Sequence, residues 1–163
     1  MSFSGKSQTY METKVTNDGF YPDITLGDLQ AQYRLPTWFE TESVTAHVEI
    51  AISQLNNRLW DQQVIWIEHG YTQLNQVPCR EVNEKRETAI WYKRAVSCQV
   101  MGLMIQQQAA ASKQGSDEKD PDLIDRNEQY WFSEATYALK QLRTATDDFD
   151  SYVSDTRITA ELL

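Results

Sequence analysis

The chain is 163 residues long, with 40% hydrophobic and 24% charged residues, the proportions of one soluble globular domain rather than a disordered tail. Its 15 Lys and Arg against 24 Asp and Glu leave a formal charge of −9, which opposes a main task of gripping nucleic-acid backbone, since that needs clustered cations to displace phosphate counterions. No run approaches the ~18 apolar residues of a membrane span, polar Met1–Gly19 predicts no secretory signal, and Cys79 and Cys98 are too few for a disulfide framework and read as reduced thiols.

Residues 1–19 show no period and are expected to form a flexible N-terminal arm. Phe20-Tyr21-Pro22-Asp23 ends it, because the residue before a proline is pushed to extended geometry. Asp23 or Thr25 can then cap a short helix over roughly 26–35, where Leu26, Leu29 and Tyr33 recur at helical spacing and Pro36 is the stop. The next stretch predicts one long helix over 42–69. Thr41 is its N-cap, Val44, Val48, Ala51, Ile52, Leu55, Leu59 and Trp66 line one face, and Gly70 follows as the stop. A straight helix of that span measures roughly 42 Å, long against the ~15 Å radius of gyration of a compact chain of this size, so an elongated domain is expected.

A connector over 71–83 holds Pro78, and a third helix is expected from about Lys85 to Ala111, with Ala89, Tyr92, Val96 and Leu103 on one face. Its middle, Val100 to Ile105, is apolar on every side, and Trp60, Val64, Ile65, Trp66 and Ile67 show the same excess. A helix apolar all round must be covered all round. Either neighbouring subunits supply the cover or the helix is enclosed at the centre of its own domain. Ser112–Asp122 reads as an exposed loop, and Asp120-Pro121 as the start of a last long helix running to about Thr144. Residues 147–163 form a C-terminal arm whose apolar end needs a docking surface. The fold class is therefore all-α: an elongated bundle of three long helices and a short N-terminal helix over residues 20–146, with extended arms on both sides.

The chemistry of catalysis is missing. The two histidines, His47 and His69, sit far apart on one expected helix and cannot share a metal. No Gly-rich phosphate loop, no HExxH helix and no convergent nucleophile and base are present, so no enzyme, metal site or cofactor is expected. Lys85, Arg86, Lys93 and Arg94, with Arg80 upstream, make a modest basic cluster. Glu81, Glu84 and Glu87 interleave with it, and pairs such as Glu81–Lys85 at i,i+4 are expected to cancel much of its field.

Three local patterns in order carry a family resemblance: Phe20-Tyr21-Pro22-Asp23-Ile24; Gly70-Tyr71-Thr72 with Leu74 and Val77-Pro78; and Trp91-Tyr92-Lys93-Arg94-Ala95-Val96. Trp131 joins them in the last helix. With these the chain resembles the phage head completion protein family, the GPL type of temperate phages with contractile tails, over about Phe20 to Leu142. The resemblance implies a structural, non-enzymatic virion protein without cofactor, made in the host cytoplasm and placed at the head–tail connector. It implies a ring, expected to be a dodecamer, that binds the portal protein after DNA packaging. Such a ring extends a channel through which DNA passes without sequence-specific binding, and it offers a docking face to a tail-side completion or terminator protein. No membrane is involved.

On that reading the C-terminal residues Tyr152, Ile158, Leu162 and Leu163 are the expected portal anchor. Phe20, Tyr21, Trp60, Trp66, Met101 and Met104 are the expected contacts between subunits, although Phe20 and Tyr21 could equally cap their own subunit's core. The alternative to the connector is an acidic helical binding module acting on a host or regulatory protein, which the −9 charge motivates.

Overall fold

A computed structural model of the chain describes residues 12–35, 39–112 and 128–161, with side chains as far as 110 and 146 in the last two stretches. Five helices carry the fold: α1 (Leu26–Tyr33), α2 (Thr41–Arg58), α3 (Trp60–Glu68), α4 (Glu87–Ser112) and α5 (Glu128–Glu161). Two antiparallel ribbons of two residues a side accompany them. The first pairs β1 (Lys14–Val15) with β2 (Ile24–Thr25), and the second pairs β3 (Glu81–Val82) with β4 (Lys85–Arg86). The predominance of helix was expected. The ribbons were not, because strands of two residues are too short to establish an alternating pattern.

α4 is the central element, packed along both α5 and α2, which also touch each other through Arg58, Thr136 and Arg143. This is the enclosed-helix alternative, realised within one chain. Val100, Met101 and Met104 are buried and Leu103 and Ile105 partly so, and most of the apolar middle of α4 is thus covered by the protein's own helices. Gly102 permits the closest part of that packing. A Cβ there would lie 2.5 Å from a ring carbon of Phe132 on α5, well inside van der Waals contact.

The expected single helix over 42–69 is in fact two helices joined at Leu59, whose backbone sits at φ −99°, ψ 3°. The i→i−4 bonds from Leu59 to Leu55 and from Gln63 to Leu59 persist on either side. The Arg58 carbonyl instead accepts from the Arg143 guanidinium at 2.7 Å. A side chain inserted into the ladder is a recognised cause of a helix break. The inward phase nevertheless continues, with Val44, Val48, Ala51, Ile52, Leu55, Leu59 and Trp66 all buried as their spacing predicts. Gly70 ends α3 at φ +90°, with Gly70 N–H donating to the Ile67 carbonyl and Tyr71 N–H to that of Trp66, the paired bonds of a Schellman stop.

Three further expectations shift. The third helix begins at Glu87, because Asn83 and Glu84 both adopt positive φ (51° and 60°) and turn residues 81–86 into a hairpin. Two successive left-handed residues are the requirement of a tight two-residue hairpin turn. The last helix does not stop at Thr144 but continues to Glu161. The segment read as an N-terminal arm joins the fold at Lys14, with Val15 buried. The loop over 113–122 and the Asp120-Pro121 helix start lie outside the described residues.

Candidate functional site

The three sequence patterns converge in space. Tyr21 stacks on Tyr92 with ring centroids 4.6 Å apart, Phe20 stacks on Trp66 at 5.9 Å, and the two neighbours meet edge to face at 5.1 Å. The rings thus form a ladder from α3 through the N-terminal segment to α4. The Phe20 carbonyl also accepts the Leu74 N–H at 2.9 Å, which ties in the middle pattern.

Beside the ladder lies a closed ring of side-chain hydrogen bonds. Asn17 Nδ2 donates to Tyr92 Oη at 2.8 Å, Tyr92 Oη donates to Asn56 Oδ1 at 2.5 Å, and Asn56 Nδ2 donates to Asn17 Oδ1 at 2.8 Å. Each member is both donor and acceptor, so the ring joins the N-terminal segment to α2 and α4 without leaving one of these groups idle. Asp18 extends the attachment. Its Oδ1 accepts from the Phe20 and Tyr21 amides, and its Oδ2 accepts from Gln63 Nε2 at 3.1 Å. Asp23 accepts the Asn17 amide and pairs with Lys14 at 2.9 Å, and these two contacts hold its carboxyl below the usual carboxylate range. Burial pushes the phenols of Tyr21 and Tyr92 well above their ordinary values. These groups anchor one segment to two helices.

That convergence decides where the six expected inter-subunit residues lie. Phe20, Tyr21, Trp66, Met101 and Met104 are all within their own subunit's core, none more than 6% exposed. Trp60 is the exception, at 62% exposure. It belongs to a surface stripe on α3, because Trp60, Val64 and Ile67 follow at spacings of four and three and are all exposed. Ile65 adds a fourth exposed apolar side chain, and Asp61 and Glu68 border the stripe. The inner face of α3 is the reverse, holding buried Trp66 and buried Gln63, the latter bonded to Asp18. Of the expected portal anchor, Tyr152 and Ile158 fall on α5 beyond the last described side chain, and Leu162 and Leu163 lie outside the described residues.

A second surface is concave. An open groove of about 570 Å³ runs between α1, the β3–β4 hairpin and the first half of α4. Ile24, Leu29, Ala89 and Ile90 contribute its apolar lining, and Lys85, Arg86, Lys93 and Arg94 bring four cations against the one carboxylate of Asp28. The expected Glu81–Lys85 pair does not form. In the hairpin register Glu81 faces Arg86, with which it pairs at 3.4 Å, and Lys85 faces Val82. Arg94 donates to Glu134 at 2.9 Å and to Tyr33 Oη at 3.2 Å, with its guanidinium over the Tyr33 ring. Lys85 and Lys93 stay exposed.

Both histidines bond into their own helix, His47 Nδ1 to the Ser43 carbonyl and His69 Nδ1 to that of Ile65, each at 2.7 Å. Both cysteines are free and buried. Burial pushes the Cys98 thiol up to about 11, which removes the thiolate a nucleophile needs. Among the described residues no group of three or more His, Cys, Asp or Glu is placed to hold a metal ion, and no helix is long and apolar enough to cross a membrane.

Comparison with known proteins gives two matches. Residues 15–149 match the family model described as phage head completion protein (GPL). A curated protein of Haemophilus phage HP1 (strain HP1c1), described as a probable head completion/stabilization protein, is 28% identical over 94 residues. That alignment takes in 58% of this chain and 63% of the relative's own length. No solved structure matches.

Proposed function

The chain belongs to the phage head completion protein family, and from that premise we propose that it assembles as a ring on the portal once DNA is packaged. The family is structural and non-enzymatic, and its place is the phage head. The ring extends the DNA channel and offers its far face to a tail-side protein. It is a dodecamer if it matches a twelve-fold portal, and it is a virion component whose subunits are made in the host cytoplasm. The C-terminal residues Tyr152, Ile158, Leu162 and Leu163 are the proposed portal anchor.

The observation that carries the reading is the stripe of Trp60, Val64 and Ile67. Among the described residues four of the eight exposed large apolar side chains, Trp60, Val64, Ile65 and Ile67, are gathered on this one short helix. Monomeric proteins seldom leave such a contiguous patch without a partner. The contacts between copies therefore rest on Trp60 and its neighbours on α3, a helix held from beneath by Trp66, which stacks on Phe20.

Electron microscopy of the purified protein mixed with its phage's portal tests the proposal. The expected result is a ring stacked coaxially on the portal, lost when residues 157–163 are deleted while the circular dichroism of the helices persists. Normal head–tail joining by that truncation would refute the anchor. A portal left bare at saturating protein would refute the ring.

A further inference from the structure

The two surfaces described above are complementary. On α3, Trp60, Val64 and Ile67 are apolar and exposed, and the carboxylates of Asp61 and Glu68 border them. In the groove, half-exposed Ala89 and Ile90 lie beside the buried Ile24 and Leu29 to form an apolar floor, and Lys85 and Lys93, also in its lining, stand exposed. The two surfaces share no residue. On a chain of net charge −9 the groove is also where cations collect.

We propose that α3 of one copy seats in the groove between α1, the hairpin and α4 of the next copy, with Trp60 and Val64 on the apolar floor and Asp61 and Glu68 facing Lys85 and Lys93. This deepens the ring reading and rests on it. The occupant is a second copy because the stripe and the groove match in both polarity and charge, and one chain carries both. A contact between two different patches is heterologous. Repeated, it closes into a ring or grows into an open filament according to its rotation, and it never stops at a symmetric dimer. Apolar floor and charged rim also have distinct jobs, the floor supplying affinity and the charges supplying register and rejection of wrong pairings.

The test is sedimentation of the full chain over a concentration series reaching about 1 mM, the weak end of specific association. Wild type is expected to form species larger than a dimer. Trp60→Arg, at an exposed position, is expected to weaken association at least about tenfold with an unchanged thermal melt. Lys85→Glu with Lys93→Glu should do the same, and adding Asp61→Lys and Glu68→Lys to that chain should restore association by reversing both sides. Wild type that stays monomeric, a Trp60→Arg chain that associates like wild type, or a quadruple charge swap that recovers nothing would each overturn the contact. Wild type that associates as expected but never decorates a portal would leave the contact standing and overturn the connector reading instead.

Discussion

Replacing Tyr92 with phenylalanine removes one oxygen and nothing else, so it isolates the hydrogen-bonded ring from the aromatic ladder. The substituted side chain would still stack on Tyr21, because the Tyr92 and Tyr21 ring centroids lie 4.6 Å apart and both rings remain. Two hydrogen bonds vanish, the one donated to Asn56 Oδ1 at 2.5 Å and the one accepted from Asn17 Nδ2 at 2.8 Å. A protein hydrogen bond contributes about 0.5–1.5 kcal/mol net, so the pair sets a range of about 1–3 kcal/mol. The two ends are not equally exposed to loss. Asn17 Nδ2 keeps a second acceptor in the Pro22 carbonyl at 3.1 Å, whereas Asn56 Oδ1 loses the donor that closed the ring. Asn56 is half-buried, so water reaches it and moderates the penalty. A loss of about 2 kcal/mol follows, which for a chain of this size lowers the melting temperature by roughly 4–8 °C. Urea denaturation of wild type, Tyr92→Phe, Asn56→Ala and the double variant measures it. The single variants should fail to add by more than about 0.5 kcal/mol, as members of one network do. A Tyr92→Phe loss under about 0.5 kcal/mol, or strict additivity in the cycle, would refute the view that this ring holds the N-terminal segment to α2 and α4.

Two tryptophans six residues apart should behave oppositely in the same melt. Trp66→Ala is expected to cost about 3–5 kcal/mol, the usual penalty for a large aromatic lost from a core, whereas Trp60→Ala should stay within about 0.5 kcal/mol of wild type. Gly102→Val should destabilise by about 1–3 kcal/mol through collision with the Phe132 ring, and Phe132→Ala in the same chain should recover part of that loss. Stability should fall as the pH rises above about 9, and at the acid end it should fall as Asp23, held below the usual carboxylate range by the Asn17 amide and Lys14, is protonated. The Cys98 thiol, raised to about 11, and the raised phenols of Tyr21 and Tyr92 all stay protonated in the folded chain after their unfolded counterparts have ionised. Cys98→Ala should remove the earliest part of that fall in a pH series of urea melts.

The helical plan was legible because periodicity survives local disturbance. Val44 through Trp66 kept one phase across the break at Leu59, so the buried face was readable although the break was not. Its cause, Arg143 capping the Arg58 carbonyl, joins residues 85 positions apart and leaves no local mark. The hairpin over 81–86 was hidden for the opposite reason: it is so short that Glu81, Lys85 and Arg86 read equally well as helical neighbours. The apolar excess on α3 and α4 was visible, but one chain cannot say which excess its own fold absorbs. α4 proved enclosed and α3 did not. Trp66 was expected at a contact through the apolar excess of its helix, and Phe20 and Tyr21 were open to either a contact or their own core. Here Phe20, Tyr21 and Trp66 build the subunit itself.

The arrangement on α3 is the inverse of what a solvated helix end would choose. The inward phase passes through Leu59, Gln63 and Trp66, and at Gln63 it spends a buried position on an amide that binds Asp18. The outward positions hold Trp60, Val64 and Ile67, where Lys or Glu would cost the fold nothing. Full burial of such a side chain is worth about 1.5–3 kcal/mol, so covering these half-exposed groups together with Ile65 recovers roughly 4 kcal/mol, and the groove adds less, since Ile24 and Leu29 are already buried and only Ala89 and Ile90 have area left to cover. Association itself costs about 4–15 kcal/mol in lost freedom, which leaves an isolated pair weak. A closed ring of n copies sets n contacts against n − 1 immobilisations, so the closing subunit gains the contact twice while it is immobilised once. Weak pairs and a durable closed ring then follow from the same surface, so free subunits stay apart at low concentration and assemble where a template first gathers them.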